Sequence, residues 1–367
     1  MTQDQLAQLQ WMVLGATGLV SVFLGALMHR THFCTMGAVS DAVVMQNFDR
    51  LRQLALALVV ALLGFGFMSL AGLISPLKSV YATPVIYWFS SLFGGLLFGW
   101  GMVLSSGCGA KALVRLGAGN LKSLLVLLIM GLSALVAMKG MLAYPRVHYL
   151  EALTWAPTQG VFAGQWVSYL FQVELATGVF MAAVFGCLVL SFWIFKDRSF
   201  LTPFNVWTGL SVGLVICAVW FISGVWGHGL EHPDTLDEFF LATTSRKMEA
   251  LSLTAPVAMN LDALLYFSDG TKRLTLGMVS VLGICMGSYF SARWSGTFRL
   301  EAFVNKADLL RHLTGGCLMG VGAVLAMGCS IGQGLSGMST FSLASLLASL
   351  GMLLGAYAAL WRDMQQA

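Results

Sequence analysis

From Tyr87 to Leu104 the chain reads YWFSSLFGGLLFGWGMVL, with no charged side chain. Wound as a helix, a run of this length spans about 30 Å, the thickness of a bilayer's hydrocarbon core. A helix also satisfies its own backbone groups, which hydrocarbon requires. The pattern recurs: apolar runs near 10–28, 51–74, 87–105, 121–139, 167–195, 204–226, 272–293, 310–328 and 341–361 predict about nine spans. Only 10% of the residues are charged and 58% are hydrophobic, whereas a soluble domain carries roughly 25% charged residues. The 41 glycines suit helices whose backbones approach closely in lipid. The sequence therefore predicts an all-α integral membrane protein embedded in a lipid bilayer. A scattered net charge of +4 gives no basis for nucleic-acid binding.

The cations are unevenly divided between the two sides that these spans define. Lys78, Lys139, Arg146, Arg246, Lys247, Lys272 and Arg273 fall on the N-terminal side, and the other thirteen Lys and Arg fall opposite. Cytoplasmic loops carry the positive excess, so the N-terminus is expected outside and the C-terminus in the cytoplasm. The first ten residues hold no Lys or Arg, so the first apolar run is expected to be a retained span rather than a cleaved signal. A partly apolar stretch, MEALSLTAPVAMNLDALLYF (248–267), contains Pro256 and acidic residues; it is expected as an interfacial helix and not as a tenth span.

An internal repeat organises the chain. GGLLFGWGMVLSSGC (94–108) aligns without a gap on GGCLMGVGAVLAMGC (315–329), with nine identities in fifteen positions and the same Gly-Cys at the end. The copies lie on spans three and eight, so they cross in opposite directions. Inverted repeats are a signature of transporters with a site at the repeat interface. The expected organisation is a first repeat over 1–140, a linker with span five over 141–203, and a second repeat over 204–367. The pairs Gly95/Gly99 and Gly316/Gly320 read as helix-packing devices.

Seven cysteines stand at 34, 108, 187, 217, 285, 317 and 329, with no C-x-x-C pair, which fits neither a disulfide framework nor a zinc site. Cys187, Cys217, Cys285 and Cys317 lie inside apolar runs, where a thiol packs as a small hydrophobe. Cys34, Cys108 and Cys329 instead open short small-residue segments: HRTHFCTMGAVSDAVVMQ (29–46), SSGCGAKALVRLG (105–117) and GCSIGQGLSGMS (328–339). Such segments are too short to span and predict re-entrant half-helices, tolerated at depth only where they line a cavity or are buried in protein. A half-helix N-terminus offers free N–H groups and a positive dipole end to an anion. The expected pathway residues are Cys34, Cys108 and Cys329 with Arg30, Lys111, Arg115, Gly107, Gly109, Ser330 and Gln333. Gly107 and Gly109 would let the backbone approach the anion, and the cations would supply potential along its route.

Enzymatic and metal readings fail on the same residues. GCGAK lacks the glycine spacing of a phosphate loop. GLSGM ends in Met338 where a nucleophile elbow needs glycine. His29 and His32 with Cys34, or His228 with Glu231 and His232, form no convincing ligand set. No cofactor, metal or catalytic residue is expected.

HRTHFCTMGAVSD with its R-x-x-F-C core, SSGCGAK with GAGNLKS, and GGCLMGVGAVLAMGCSIGQGL together resemble the YeeE/YedE family of bacterial sulfur-transport membrane proteins. The resemblance extends over almost the whole chain, including GSYFSARWSGTFRL (287–300), and is least over 141–270. It implies uptake of thiosulfate across the bacterial inner membrane, a pathway through cysteines that fall on Cys34, Cys108 and Cys329, and a small cytoplasmic sulfurtransferase of the TusA type as partner. The alternatives it leaves are a selenium compound as substrate, and a membrane sulfurtransferase that relays persulfide sulfur.

Overall fold

The computed structural model describes residues 3–231, 237–269, 273–303 and 305–366. Among the described residues, thirteen α-helices of nine residues or more carry the fold. The first six are α1 (Gln3–Thr31), α2 (Thr35–Val44), α3 (Asp49–Leu70), α4 (Trp88–Leu104), α5 (Gly109–Gly117) and α6 (Leu121–Met138). After them come α7 (Ala163–Phe171), α8 (Leu175–Phe195), α9 (Pro203–Phe221), α10 (Thr254–Leu265), α11 (Leu276–Trp294), α12 (Lys306–Leu325) and α13 (Leu343–Gln366). The one sheet among the described residues is a two-residue pairing of β1 (His228–Gly229) with β2 (Phe239–Phe240). Eight helical segments are long and apolar enough to cross a membrane, among the described residues. α12 meets the length but begins with Lys306, Asp308, Arg311 and His312, which lowers its apolarity. It still packs along both α4 and α6.

The predicted 167–195 span divides in two. Gln172 takes a left-handed conformation (φ 51°) and ends α7, after which α8 starts at Leu175. The expected interfacial helix is also corrected. Leu251 and Leu253 are within 1% of full burial and Thr254 and Ala258 are fully buried. α10 packs on α6 and α11, so the first part of this segment is sunk in the protein while Leu264 to Phe267 stay exposed. Pro256 is tolerated because it sits in the first turn, where its missing N–H would have no helical partner.

The packing repeats itself when the halves are exchanged. α1 lies along α11 and α9 along α3; α4 lies along α13 and α12 along α6; α2 contacts α13 and α10 contacts α6. Where α4 meets α12, a Cβ on Gly101 would approach Gly315 O to 2.7 Å, and one on Gly94 would reach Ala326 N at 2.4 Å. The two sequence copies are therefore packed antiparallel. The glycine pairs do what their spacing implies. A Cβ on Gly99 would lie 2.1 Å from Met352 O, and one on Gly320, its counterpart, 2.3 Å from Met130 O. Only glycine allows these backbones to touch.

Candidate substrate pathway

The two repeat copies end in the same backbone device. After α4, Ser106 is left-handed (φ 55°), Ser106 N–H donates to Val103 O (3.1 Å) and Gly107 N–H to Met102 O (2.9 Å). After α12, Met327 (φ 57°) and Gly328 repeat those bonds to Val324 O (3.1 Å) and Ala323 O (2.8 Å). This Schellman pattern ends the helix and satisfies its last carbonyls. The next residue in each case is the cysteine, whose carbonyl already accepts the first bond of a new helix: Ala112 N–H to Cys108 O (2.9 Å) and Gln333 N–H to Cys329 O (2.7 Å). Cys34 does the same for α2, accepting from Ala38 N–H (3.0 Å) after a left-handed His32 (φ 52°). Cys34 and Cys108 are N-terminal caps of short α-helices, where the unpaired N–H groups and dipole favour an anion; Cys329 stands in the turn just before the 332–337 helical turn, which Ile331 caps.

These caps are brought together. Cys34 Sγ lies 3.9 Å from Cys108 Sγ, and Ser330, the residue after Cys329, is a close neighbour of the Cys108 thiol. Gly332 N–H donates to Cys329 Sγ (3.4 Å). The three thiols are 1–2% exposed. Gln333 is held as a brace: its amide donates to Ala326 O (2.7 Å) and Met327 O (3.0 Å), and its carbonyl accepts from Ser345 Oγ (2.6 Å). It thereby fixes the turn that presents Cys329. Tyr81 OH donates to Gly332 O, and Trp220, packed on Tyr81, donates to Ser339 Oγ (3.0 Å).

Two cavities approach this buried layer from the opposite ends of α4. One, of about 580 Å³, reaches Phe33 and Ser106 and is lined by Lys111, Arg115, Arg50 and Arg299, with His29 and His32. Lys111 has no ion-pair partner among the described residues. Arg115 donates to Ser106 O (3.1 Å). The other, of about 220 Å³, reaches Met327 and Gln333 and is lined by Tyr81, Glu249 and Ser252.

The expected site residues thus fall into groups. Cys34, Cys108, Cys329 and Ser330 form the buried layer, and Lys111 and Arg115 face the larger cavity. Gly107 packs on the Lys111 side chain, and Gly109 on Met130, with Thr254 Oγ1 close by. Arg30 is exposed and does not line the cavity; its neighbours His29 and His32 do. Cys187, Cys217 and Cys285 donate to helix carbonyls of Val59, Val60 and Leu113, as packed thiols do. No group of three metal-ligating side chains exists among the described residues; His232 lies outside them.

The sequence reading missed two things. α10 packs on α6 as α2 packs on α13, and its cap is Leu253 where α2 has Cys34. Without the thiol there was no motif to mark it, although Ser-Leu-Thr-Ala-Pro is a helix-start pattern. Tyr81 and Glu249 were hidden in loops of ordinary composition.

Residues 30–358 match the sulphur-transport family. The thiosulfate transporter TsuA of Escherichia coli strain K12 is 26% identical over 94% of this chain and 93% of its own length. TsuA of Spirochaeta thermophila is 28% identical over 94% of this chain and 98% of its own. The probable transporter YedE of Salmonella typhimurium matches at 27% over a shorter stretch, 24% of this chain and 22% of its own length. With a family match that spans most of its length and a fold of apolar helices around a buried polar layer, the chain belongs to the sulphur-transport family of multi-pass membrane transporters.

Proposed function

We propose that the protein takes up thiosulfate, or a closely related sulfur-containing anion, through Cys34, Cys108 and Cys329 and delivers it to cytoplasmic sulfur metabolism. The observation that carries this reading is the meeting of two cysteine-capped half-helices, at Cys34 and Cys108, between two cavities, one of them rich in cations. Thiosulfate is a dianion whose terminal sulfur carries much of the charge. Thiols are weak donors, and a conduction path needs sites attractive enough to enter and weak enough to leave. Half-helix N–H groups supply the remaining attraction without a fixed counter-charge at each step.

On this reading residues 1–140 and 204–367 are inverted repeats, with 141–203 between them. The membrane is the bacterial inner membrane, with the N-terminus periplasmic and the C-terminus cytoplasmic, as the cation bias indicates. The cationic cavity then faces the cytoplasm and the Tyr81 cavity the periplasm. A dianion entering against 100 mV climbs roughly 4.6 kcal/mol, so a TusA-like sulfurtransferase that consumes it on the inside would sustain the flux.

Labelled-thiosulfate uptake in a strain lacking other sulfur-anion transporters tests the reading. The chain is expected to restore uptake that excess unlabelled thiosulfate suppresses; absence of uptake overturns it. Lys111 supplies charge without a partner, so Lys111→Ala is expected to raise the half-saturating concentration about fivefold, as loss of roughly 1 kcal/mol of attraction implies. Lys111→Arg should restore most of the loss. Equal kinetics for all three proteins would remove Lys111 from the pathway.

A further inference from the structure

The two cavities carry opposite charge, and only one of them suits an anion. In the Tyr81 cavity Glu249 is the one formally charged side chain among the described lining residues. Ionised, it would repel a dianion on the way to Cys329.

Glu249 is built into the support of that cysteine. Its Oε1 accepts from Thr244 N–H (3.0 Å) and Ser245 N–H (2.7 Å), and its own N–H donates to Ser223 Oγ (2.9 Å). The Ser245 hydroxyl is a further neighbour of the carboxylate. Two residues further on, Leu251 O accepts from Ser336 Oγ (2.8 Å), on the helical turn that follows Cys329. A Cβ on Gly332 would lie 2.8 Å from Ser252 Oγ. The carboxylate segment and the Cys329 turn are one packed unit.

Few other charges act on it. Tyr81 is the second titratable group of the lining, and Cys329 lies behind it. On the same turn Lys247 reaches away to Ala82 O (2.8 Å) and Arg246 is exposed. Lys78 is engaged with Glu238. The first turn of α10, the 222–226 segment and the start of α11 present no titratable side chain.

We propose that Glu249 is a proton site that couples the inward passage of the sulfur dianion to a proton. It rests on the transport reading above and adds the co-transported ion. Protonated, Glu249 loses its repulsion, and its carboxyl O–H becomes a donor toward the anion. One proton moving with each dianion halves the net charge carried against the membrane potential. Burial holds the Glu249 carboxyl above the ordinary carboxylate range, so the protonated form persists to higher pH than on an exposed Glu. Uptake therefore rises as pH falls through the Glu249 pKa and declines above it.

The test uses the purified full chain in proteoliposomes, with labelled thiosulfate outside and a pH-sensitive dye in the lumen. The potential is clamped at zero. Wild-type influx is expected to acidify the lumen, and to run about fivefold faster near about pH 5.5 than near about pH 8. Glu249→Gln keeps an acceptor for Thr244 and Ser245 N–H; it is expected to carry thiosulfate with no lumen acidification and a flat pH profile. Glu249→Asp, still titratable, should retain the acidification. Wild-type thiosulfate flux without proton movement overturns the coupling alone, whatever the variants do. Absence of wild-type flux overturns the transport reading and the coupling with it.

Discussion

Cells that depend on this chain for thiosulfate as their sole sulfur source are expected to stop growing when Cys108 is replaced by Ala. Cys108 stands at the centre of the buried layer, between Cys34 Sγ at 3.9 Å and Ser330. Its loss removes the link between the larger cavity and the Cys329 turn. The backbone is set by bonds that do not involve the thiol, so the protein should still be produced and folded. Cys34→Ala and Cys329→Ala should behave alike, each with uptake reduced about tenfold or more, because sites in series fail together. Cys217→Ala is the control: that thiol only donates to Val60 O from within a helix pair, and growth should continue. Wild-type growth of the Cys34, Cys108 and Cys329 variants would show that the thiols are incidental packing.

Gly99→Ala and Gly15→Ala make the same chemical change with opposite expected outcomes. At Gly99 the new methyl would sit 2.1 Å from Met352 O and 2.8 Å from Ala356 N, both backbone atoms that no rotamer change can move aside. α4 and α13 must part along their shared face, which costs a few kcal/mol, about 1–3 or more. That is a large share of a total stability of about 5–15 kcal/mol. At Gly15 nothing lies within 4 Å of the new methyl, and Ala favours a helix by about 1 kcal/mol over Gly. Thermal unfolding in detergent, followed by size-exclusion recovery, should show Gly99→Ala lowered by several degrees or lost. Gly15→Ala should match or exceed wild type. Equal melting of both variants would mean that the close α4–α13 contact does not hold the fold.

Much of this architecture is legible in the sequence. Length and apolarity alone locate the spans, because hydrocarbon leaves the backbone no alternative to helices. The aligned copies at 94–108 and 315–329 marked the antiparallel pair at the centre. Cys34, Cys108 and Cys329 stood out because each follows the end of an apolar run, and each carbonyl accepts the first i+4 bond of the turn that follows.

What was not legible depended on distance between remote segments. That Cys34 touches Cys108 while Arg30 points away from the cavity follows from the turn through His32, whose left-handed backbone no periodicity reveals. The 248–267 stretch read as interfacial because its apolarity is partial. Its first part, Leu251 to Ala258, enters the core, and the equally apolar Leu264 to Phe267 stay exposed. Gln333 lines the smaller cavity, and that both ends of its amide hold the Cys329 turn depends on Ala326, Met327 and Ser345, which no motif joins to it.

The central claim is that the sulfur anion passes the cysteine layer intact. The most direct measurement is uptake by proteoliposomes of thiosulfate labelled differently on its two sulfur atoms, followed by analysis of the lumen and mass spectrometry of Cys34, Cys108 and Cys329. Both labels are expected inside, in equal amounts and as thiosulfate, with all three thiols unmodified. A persulfide on Cys108 or Cys329, with sulfite left outside and only the terminal sulfur carried inward, would contradict it.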